Sequence, residues 1–454
     1  MSIVDKFFES ENPVIKLKPF LNGPMRDYSN YDNVRKIPKL TDGLKDSQRK
    51  GLFGITKLCN TGQIKVSQLA EGSSQLTNYL HGGDSLAGAI ALMAQDYPGS
   101  NNVPIFQKDG QFGSRISPDH AATRYIYVSQ HENLHKLFRK EHELCLEYRF
   151  DEGEHREPIT YFPLIPLWVL NGSIGIGNGY ASKIYCRGLD AVKKYIGNVL
   201  SGKNMTDKTI NQLLTPSFNG YTGLTSGVPD EDSKYVQYGS IERINKNNLV
   251  ITEVPITYYL DDYKKILNKL IDDKVIKEYS AIASDNNLTF KVEHYRELSE
   301  KSDEELMKLF KLVVPLTENV VLFNKDGRLT EYTNVKEALN EFIEWRLEEY
   351  EKFRIAKIAD IEQKIDFARA KKIFIQHWNS THNVHKHTKE EIVNAINNEI
   401  VTKYIDSFMA MPISSLTEAQ IKKLEDSILK LEDSLKYYKD STNTSIYLDD
   451  IKEV

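Results

Sequence analysis

The sequence predicts an α+β multidomain fold, on three observations. Short Gly-punctuated helices lead into strand-like segments early in the chain, the middle is mostly strand-like, and the end is long helices almost free of Pro and Gly. At 454 residues the chain is too long for one core. The composition shifts divide it into an N-terminal arm (1–30), a winged-helix domain (31–147), a mixed α/β domain (148–333) and a helical region (334–454).

The winged helix is read from "GLKDSQRKGLFGITKL", "IKVSQLAEGSSQLTNYLHGG" and "DSLAGAIALMAQDY", followed by "VPIFQKDGQFGSRI". In the third helix Leu86, Ala89, Ile90 and Met93 share a face, and Asp84 or Ser85 can cap its start. Three short helices followed by a wing form a helix-turn-helix arrangement that puts one helix in a DNA major groove. The middle is read from "ITYFPLIPLWVL", "YVQYGSIERI", "NLVITEVPITYYL", "LTFKVEHY" and "NVVLFNKDGRLTEYT", the last a hairpin turned at Asp326-Gly327. At the end, Ile421, Leu424, Ile428, Leu431, Leu435 and Tyr438 make a heptad seam, preceded by a capping-box pattern at Ser415 and Glu418. Ile358, Ile361, Ile365 and Ala368 repeat that spacing. Two such helices pack as a long antiparallel coiled-coil stalk with a helical tip, or hold a dimer together.

A hydrophobic fraction of 40% fits a soluble protein. No apolar run approaches the roughly 20 residues that span a bilayer, and "MSIVDKFFESENP" lacks a secretion pattern. The three cysteines, Cys59, Cys145 and Cys186, form no Cys-x-x-Cys, so neither a disulfide framework nor a zinc site is expected and a reducing compartment fits. The net charge of -5 conceals a basic stretch at 35–65, where Arg35, Lys36, Lys39, Lys45, Arg49, Lys50, Lys57 and Lys65 oppose only Asp42 and Asp46.

In "ATRYIYV", residues 122–128, Arg124 and Tyr125 read either as the edge of a half-buried strand or as a reactive pair. A free phenol has a pKa near 10 and attacks poorly without nearby positive charge, which an adjacent guanidinium supplies. Tyr127 reads as structural. "NGSIGIGNG" lacks the helix and acidic partner of a dinucleotide loop. "HNVHKH", with His382, His385 and His387, reads as a solvated loop, not a metal site. "DEDS" at 230–233 reads as a loop.

Taken in order, "IPKLTDGLKDSQRKGLFG", "NYLHGGDSLAGAI", "DGQFGSR", "AATRYIYV", "LNGSIGIGNGY", "ITEVPITY" and "SLTEAQIKKLEDSILKLE" resemble the landmarks of the breakage-reunion half of type IIA DNA topoisomerases. The resemblance runs from about Ile37 to the C-terminus. It implies a winged-helix DNA gate, a mixed α/β tower and a stalk ending in a helical C-gate. It also implies that Tyr125 attacks a DNA phosphodiester to form a 5′-phosphotyrosine, with Arg124 stabilising the phosphate oxygens and Arg49 and His81 near the scissile phosphate. Lys45, Lys50, Lys65, Gln111 and Arg115 carry over as DNA contacts, and Ile176 as a wedge between base pairs. Where the family commonly has Pro after Gly-Leu-Lys, this chain has Asp46.

The sequence contains no Walker loop, no ATPase motif of the family's type and no metal-binding Toprim pattern. A partner subunit is therefore expected to supply Mg²⁺ and ATP-driven strand passage, with the chain acting on double-stranded DNA as a homodimer through the C-gate. Relaxation and decatenation are expected rather than supercoiling. Among family members the medium subunit of T-even-type phage topoisomerase is most similar, implying a viral source and a DNA-associated place in the host cytoplasm. The rival readings are a non-catalytic winged-helix and coiled-coil DNA binder, and a tyrosine recombinase-type strand-transfer enzyme.

Overall fold

The computed structural model describes residues 16–381 and 387–454, and the chain divides into two compact units. Of the described residues, the first unit holds 16–140, 146–346 and 453–454, and the second 141–145 and 347–452. Apart from 141–145, the segments read as winged helix and as mixed α/β both fall in the first.

Helix α1 (Arg26–Lys36) leads into the winged helix. There α2 (Asp46–Leu58), α3 (Val66–Leu76) and α4 (Gly83–Met93) pack through Leu52, Phe53, Ile55, Leu69, Leu86 and Ile90, all buried. The apolar positions recur at three and four residues, which puts them on one face of each helix. β1 (Ile64–Lys65), β2 (Phe106–Asp109) and β3 (Tyr127–Gln130) form an antiparallel sheet in the order β1-β3-β2. The helix cap differs from expectation: α4 starts after Gly82, which has no side chain to cap with, and Asp84 and Ser85 lie inside the first turn. There Asp84 still complements the helix dipole.

The Gly-rich run forms the hairpin β4 (Ser173–Ile176) and β5 (Ala181–Ile184). A Cβ at Gly175 would lie 2.0 Å from the Lys36 carbonyl oxygen, and one at Gly177 2.0 Å from Asn33 Oδ1. The glycines therefore serve close packing of the hairpin on α1, and no helix follows to cradle a phosphate.

Farther along, an antiparallel sheet in the order Ser240–Arg243, Asn248–Glu253, Leu288–His294, Ile276–Ala283 packs on the helix Leu260–Asp272. Leu249, Ile251, Tyr263, Leu267, Phe290 and Val292 fill the space between. The predicted hairpin forms as Val320–Phe323 and Leu329–Tyr332, with Asn324 Oδ1 accepting the amides of Asp326 and Arg328 across the turn. Phe323 exchanges backbone hydrogen bonds with Pro38 and Leu40, which pins the stretch entering α2.

The helix Val335–Ser380 starts where composition places the helical region, and the division between units falls along it, after Arg346. In the second unit its continuation runs antiparallel to Glu418–Asp440. The ion pairs Lys439–Glu362, Arg369–Glu432 and Lys372–Glu425 show this, because one partner's number rises as the other's falls. The heptad residue Ile428 is buried and Ile421, Leu424, Leu431, Leu435 and Tyr438 are partly so. Opposite them, Ile361, Ile365 and Ala368 are buried. The cap is Thr417, whose hydroxyl accepts the Gln420 amide, not Ser415. Leu416 is buried in the tip core with Phe374, Ile392 and Phe408, so the chain turns inward before the helix can begin. His387 is exposed beside Glu391, while His382 and His385 lie outside the described residues.

Gly175→Ala should lower stability by about 2 kcal/mol or more, because the new Cβ collides with backbone. Gly88→Ala, in α4 with nothing within 4 Å of its Cβ, should be neutral or stabilising by about 0.5–1 kcal/mol. Paired thermal melts check both.

Candidate functional site

Residues 110–126 connect β2 to β3 and end in the Arg-Tyr pair. Gln95 Nε2 donates to the carbonyls of Phe112 at 2.7 Å and Pro118 at 3.0 Å, and the Ala121 amide closes onto the Gln111 carbonyl at 3.0 Å. The start of α3 fastens the far end: the amides of Val66 and Ser67 donate to the carbonyls of Ile126 and Thr123. Ile126 and Val128 are buried in the core, whereas Tyr125 has 68% of its surface exposed. Tyr125 sits in a turn, its amide bonded to the Ala122 carbonyl, two residues before the strand begins. The half-buried-strand reading therefore holds for Tyr127, which pairs with Lys65 and Asp109. The Arg124 guanidinium carbon lies 5.0 Å from the Tyr125 ring centroid. A permanent charge thus stands against an accessible phenol at the end of a fixed strand.

The other expected residues divide by exposure. Lys65 is half-buried on β1, its ammonium 5.9 Å from the Tyr127 ring centroid. Lys45 is half-buried, donating to the Ile174 carbonyl at 2.5 Å. Burial, then the Lys36 charge, lowers its pKa. Gln111 is exposed, with its amide on the Asp119 carbonyl. Ile176 is 74% exposed at the hairpin end and takes no part in the core.

Arg49, Lys50 and Arg115, expected beside DNA phosphates, are buried on partners within the protein. Arg49 is buried: Nε donates to Asp42 Oδ2 at 2.8 Å, and Nη2 to Asp42 Oδ1 at 3.0 Å and the Leu44 carbonyl at 2.9 Å. Burial pushes the Asp42 carboxyl up, but the Arg49 charge and hydrogen bonds more than cancel this, so its pKa is lowered. Lys50 is buried on Glu157 at 2.7 Å and the Thr77 carbonyl at 2.9 Å. Arg115 is fully buried, donating to the carbonyls of Val254 at 2.9 Å and Tyr258 at 3.1 Å. Their charge is spent within the protein, because each faces acceptors supplied by the fold. The sequence reading missed Asp42; its signal was an acid inside an otherwise basic stretch.

His81 does not cap α4. Its Nε2 lies 2.8 Å from the Tyr31 hydroxyl on α1, and its ring meets Tyr79 edge-on at 5.1 Å. Among the described residues, no hydrogen bond or ion pair joins Tyr125 to Arg49 or His81. Nor, among them, does any group of three or more His, Cys, Asp or Glu stand in a metal-ligating arrangement. None of their helices is long and apolar enough to cross a membrane.

The winged helix, the wing-end Arg-Tyr pair and the exposed hairpin isoleucine occur within residues 35–452, the span matched by the profile of the DNA gyrase/topoisomerase IV A-subunit family. The chain belongs to this family. It is 28% identical to DNA topoisomerase 2 of Invertebrate iridescent virus 6 over 98% of its length and 39% of the relative's. It is 34% identical to the mitochondrial DNA topoisomerase 2 of Dictyostelium discoideum, over 76% of the chain and 27% of the relative. The chain thus spans well under half of each of these relatives. The crystal structure of the Plasmodium falciparum topoisomerase II DNA-binding, cleavage and re-ligation domain superposes with a TM-score of 0.86 at 30% identity, covering 96% of this chain and 63% of that one. Neither relative is a phage protein, and the expected likeness to the phage medium subunit gains no support from them.

Lys50→Met should destabilise by about 3 kcal/mol by leaving Glu157 buried without its main partner, and adding Glu157→Leu should restore most of that. Urea denaturation reads both. Because the folded pKa of Asp42 is depressed, its stabilisation is present above the unfolded value of about 4 and is lost as pH falls below it. Asp42→Asn should therefore be less stable at neutral pH and lose less stability on acidification, as followed by circular dichroism.

Proposed function

We propose that the chain is the DNA-cleaving part of a type II DNA topoisomerase, in which Tyr125 makes a transient break and Arg124 stabilises it. The observation that carries this reading is the exposed Arg124-Tyr125 pair at the end of the wing in a chain of this family. The Tyr125 hydroxyl attacks phosphorus in line with the 3′-oxygen. A bond from the tyrosine oxygen to the 5′-phosphate forms as the bond to the 3′-oxygen breaks. The phenol gives up a proton and the departing 3′-oxygen gains one. Arg124, with its guanidinium carbon 5.0 Å from the Tyr125 ring centroid, would donate through its fork to the phosphate oxygens that carry charge in the transition state. The step conserves a phosphodiester, so the reverse attack reseals the strand.

DNA is the proposed substrate, held by one winged-helix element in the major groove, with Lys45, Lys65 and Gln111 on its backbone. Ile176, apolar and exposed on the hairpin, is suited to wedge into a base step. Arg49 and Lys50 act from inside, by fixing α2. Two copies related by a two-fold axis, joined through the C-gate, would present two tyrosines to one duplex and cut both strands. Mg²⁺ and ATP are proposed to arrive with a partner subunit carrying Toprim and ATPase domains, giving ATP-dependent relaxation and decatenation at the DNA.

The deciding experiment mixes the chain with such a partner, Mg²⁺ and supercoiled plasmid, followed by rapid denaturation. Covalent protein on the 5′ ends should be found with the wild type and be absent with Tyr125→Phe, which keeps DNA binding. If Tyr125→Phe loses no function the chain is a non-catalytic DNA binder, and a 3′ linkage marks a recombinase-type enzyme. Arg124→Ala should slow cleavage about 10²–10³-fold, and a loss below about tenfold would remove Arg124 from the reaction.

A further inference from the structure

His81 has a neighbour that no local pattern announces. Tyr31 comes from α1, fifty positions away, and its hydroxyl lies 2.8 Å from Nε2 and 3.3 Å from Nδ1. The two rings are 5.6 Å apart and tilted by 56°. Tyr79 closes the other side edge-on, and the Arg35 guanidinium lies 5.8 Å from the Tyr31 ring centroid. The charged groups lining the same cleft are Arg35 on α1, Asp46 and Lys50 on α2, and Arg149 and Asp151 on the strand Tyr148–Asp151. Burial, then Arg35, lowers the His81 pKa; Asp46 opposes them and Lys50 adds to them. The ring is therefore neutral at neutral pH.

A neutral imidazole carries one N–H and one lone pair, and its partner decides which nitrogen bears which. We propose that Tyr31 is a positioning residue for His81: by donating its hydroxyl to the nearer nitrogen, Nε2, it fixes the Nδ1–H tautomer and the ring's orientation, and the Nδ1–H, 3.3 Å from the same hydroxyl, is the donor that a phosphodiester oxygen takes up. The proposal rests on the reading of His81 as a phosphate-facing residue. It adds to that reading the tautomer, the group that sets it, and the requirement that α1 be seated for His81 to be competent.

The test uses the intact chain with ¹⁵N-labelled histidine. His81→Gln assigns the His81 signals, and Tyr31→Phe removes the hydroxyl while keeping the ring. In the wild type the His81 nitrogen shifts should report the Nδ1–H form. In Tyr31→Phe they should move toward the tautomer average, and the titration midpoint should rise, because a bond favouring the neutral ring is gone. With the partner subunit present, Tyr31→Phe should slow cleavage about tenfold at unchanged DNA affinity. Unchanged shifts in Tyr31→Phe, or an Nε2–H form in the wild type, would overturn the proposal whether or not the chain cleaves DNA. Altered shifts with undiminished cleavage would overturn the catalytic consequence of the bond. Absence of any cleavage by the wild type would strike the functional reading, while the shifts still decide the hydrogen bond.

Discussion

The buried pair of Asp42 and Arg49 is the constraint on which the site depends. Asp42 is fully buried, and its carboxylate accepts two guanidinium nitrogens and the amides of Leu44 and Tyr161, one close in sequence and one remote. An unpaired carboxylate there would be very costly to bury, so the hydrogen bonds must all form together or the charge must be neutralised. That requirement sets the path of the chain into α2 and docks it against 160–161. The Phe323 hairpin fastens the same stretch from another direction. Lys45 and the hairpin bearing Ile176 then inherit a fixed position, because Lys45 bonds directly to the Ile174 carbonyl.

A second constraint acts on the wing. Ile126 and Val128 are buried, and the turn just before them leaves Tyr125 facing out. The loop ahead of it is anchored by Gln95, and its Arg115 reaches the 254–258 carbonyls through the side chain and the Asp285 carbonyl through the amide. The attack proposed for Tyr125 needs a defined approach to phosphorus, and an exposed side chain on a loosely held loop would not give one. Tyr125 is exposed as a side chain and fixed as a backbone.

What could be read from the sequence was whatever rests on local periodicity. The short helices, the heptad residues around Ile428 and the turn at Asp326-Gly327 all depend on neighbours within a few positions. The exposed Arg-Tyr pair was legible through its motif. Partners set by the fold were not legible. Nothing near Arg49, Lys50 or Arg115 states that a charge will be met by Asp42, Glu157 or a row of carbonyls, so surface contact was the natural expectation for a basic residue. The caps of α4 and of the helix Glu418–Asp440 were also misplaced. For the helix Glu418–Asp440, burial of Leu416 in the tip core chose the starting residue over side-chain preference, while α4 starts after Gly82 with no side-chain cap at all.

This division of cations has a consequence for how the chain would hold a polyanion. Charge counted along 35–65 overstates what a phosphate backbone can meet, because each cation consumed by an internal carboxylate releases no counterion on binding. With Arg49 and Lys50 enclosed, the surface charge of that stretch rests on residues such as Lys36 and Lys57, exposed, and Lys45 and Lys65, half-covered. These lie on separate elements whose spacing the buried pairs maintain. On the proposed DNA-binding role, the enclosed cations would govern geometry and the open ones affinity. Replacing an enclosed cation should disturb where the DNA lies before it disturbs how tightly it is held, and the reverse should hold at the surface.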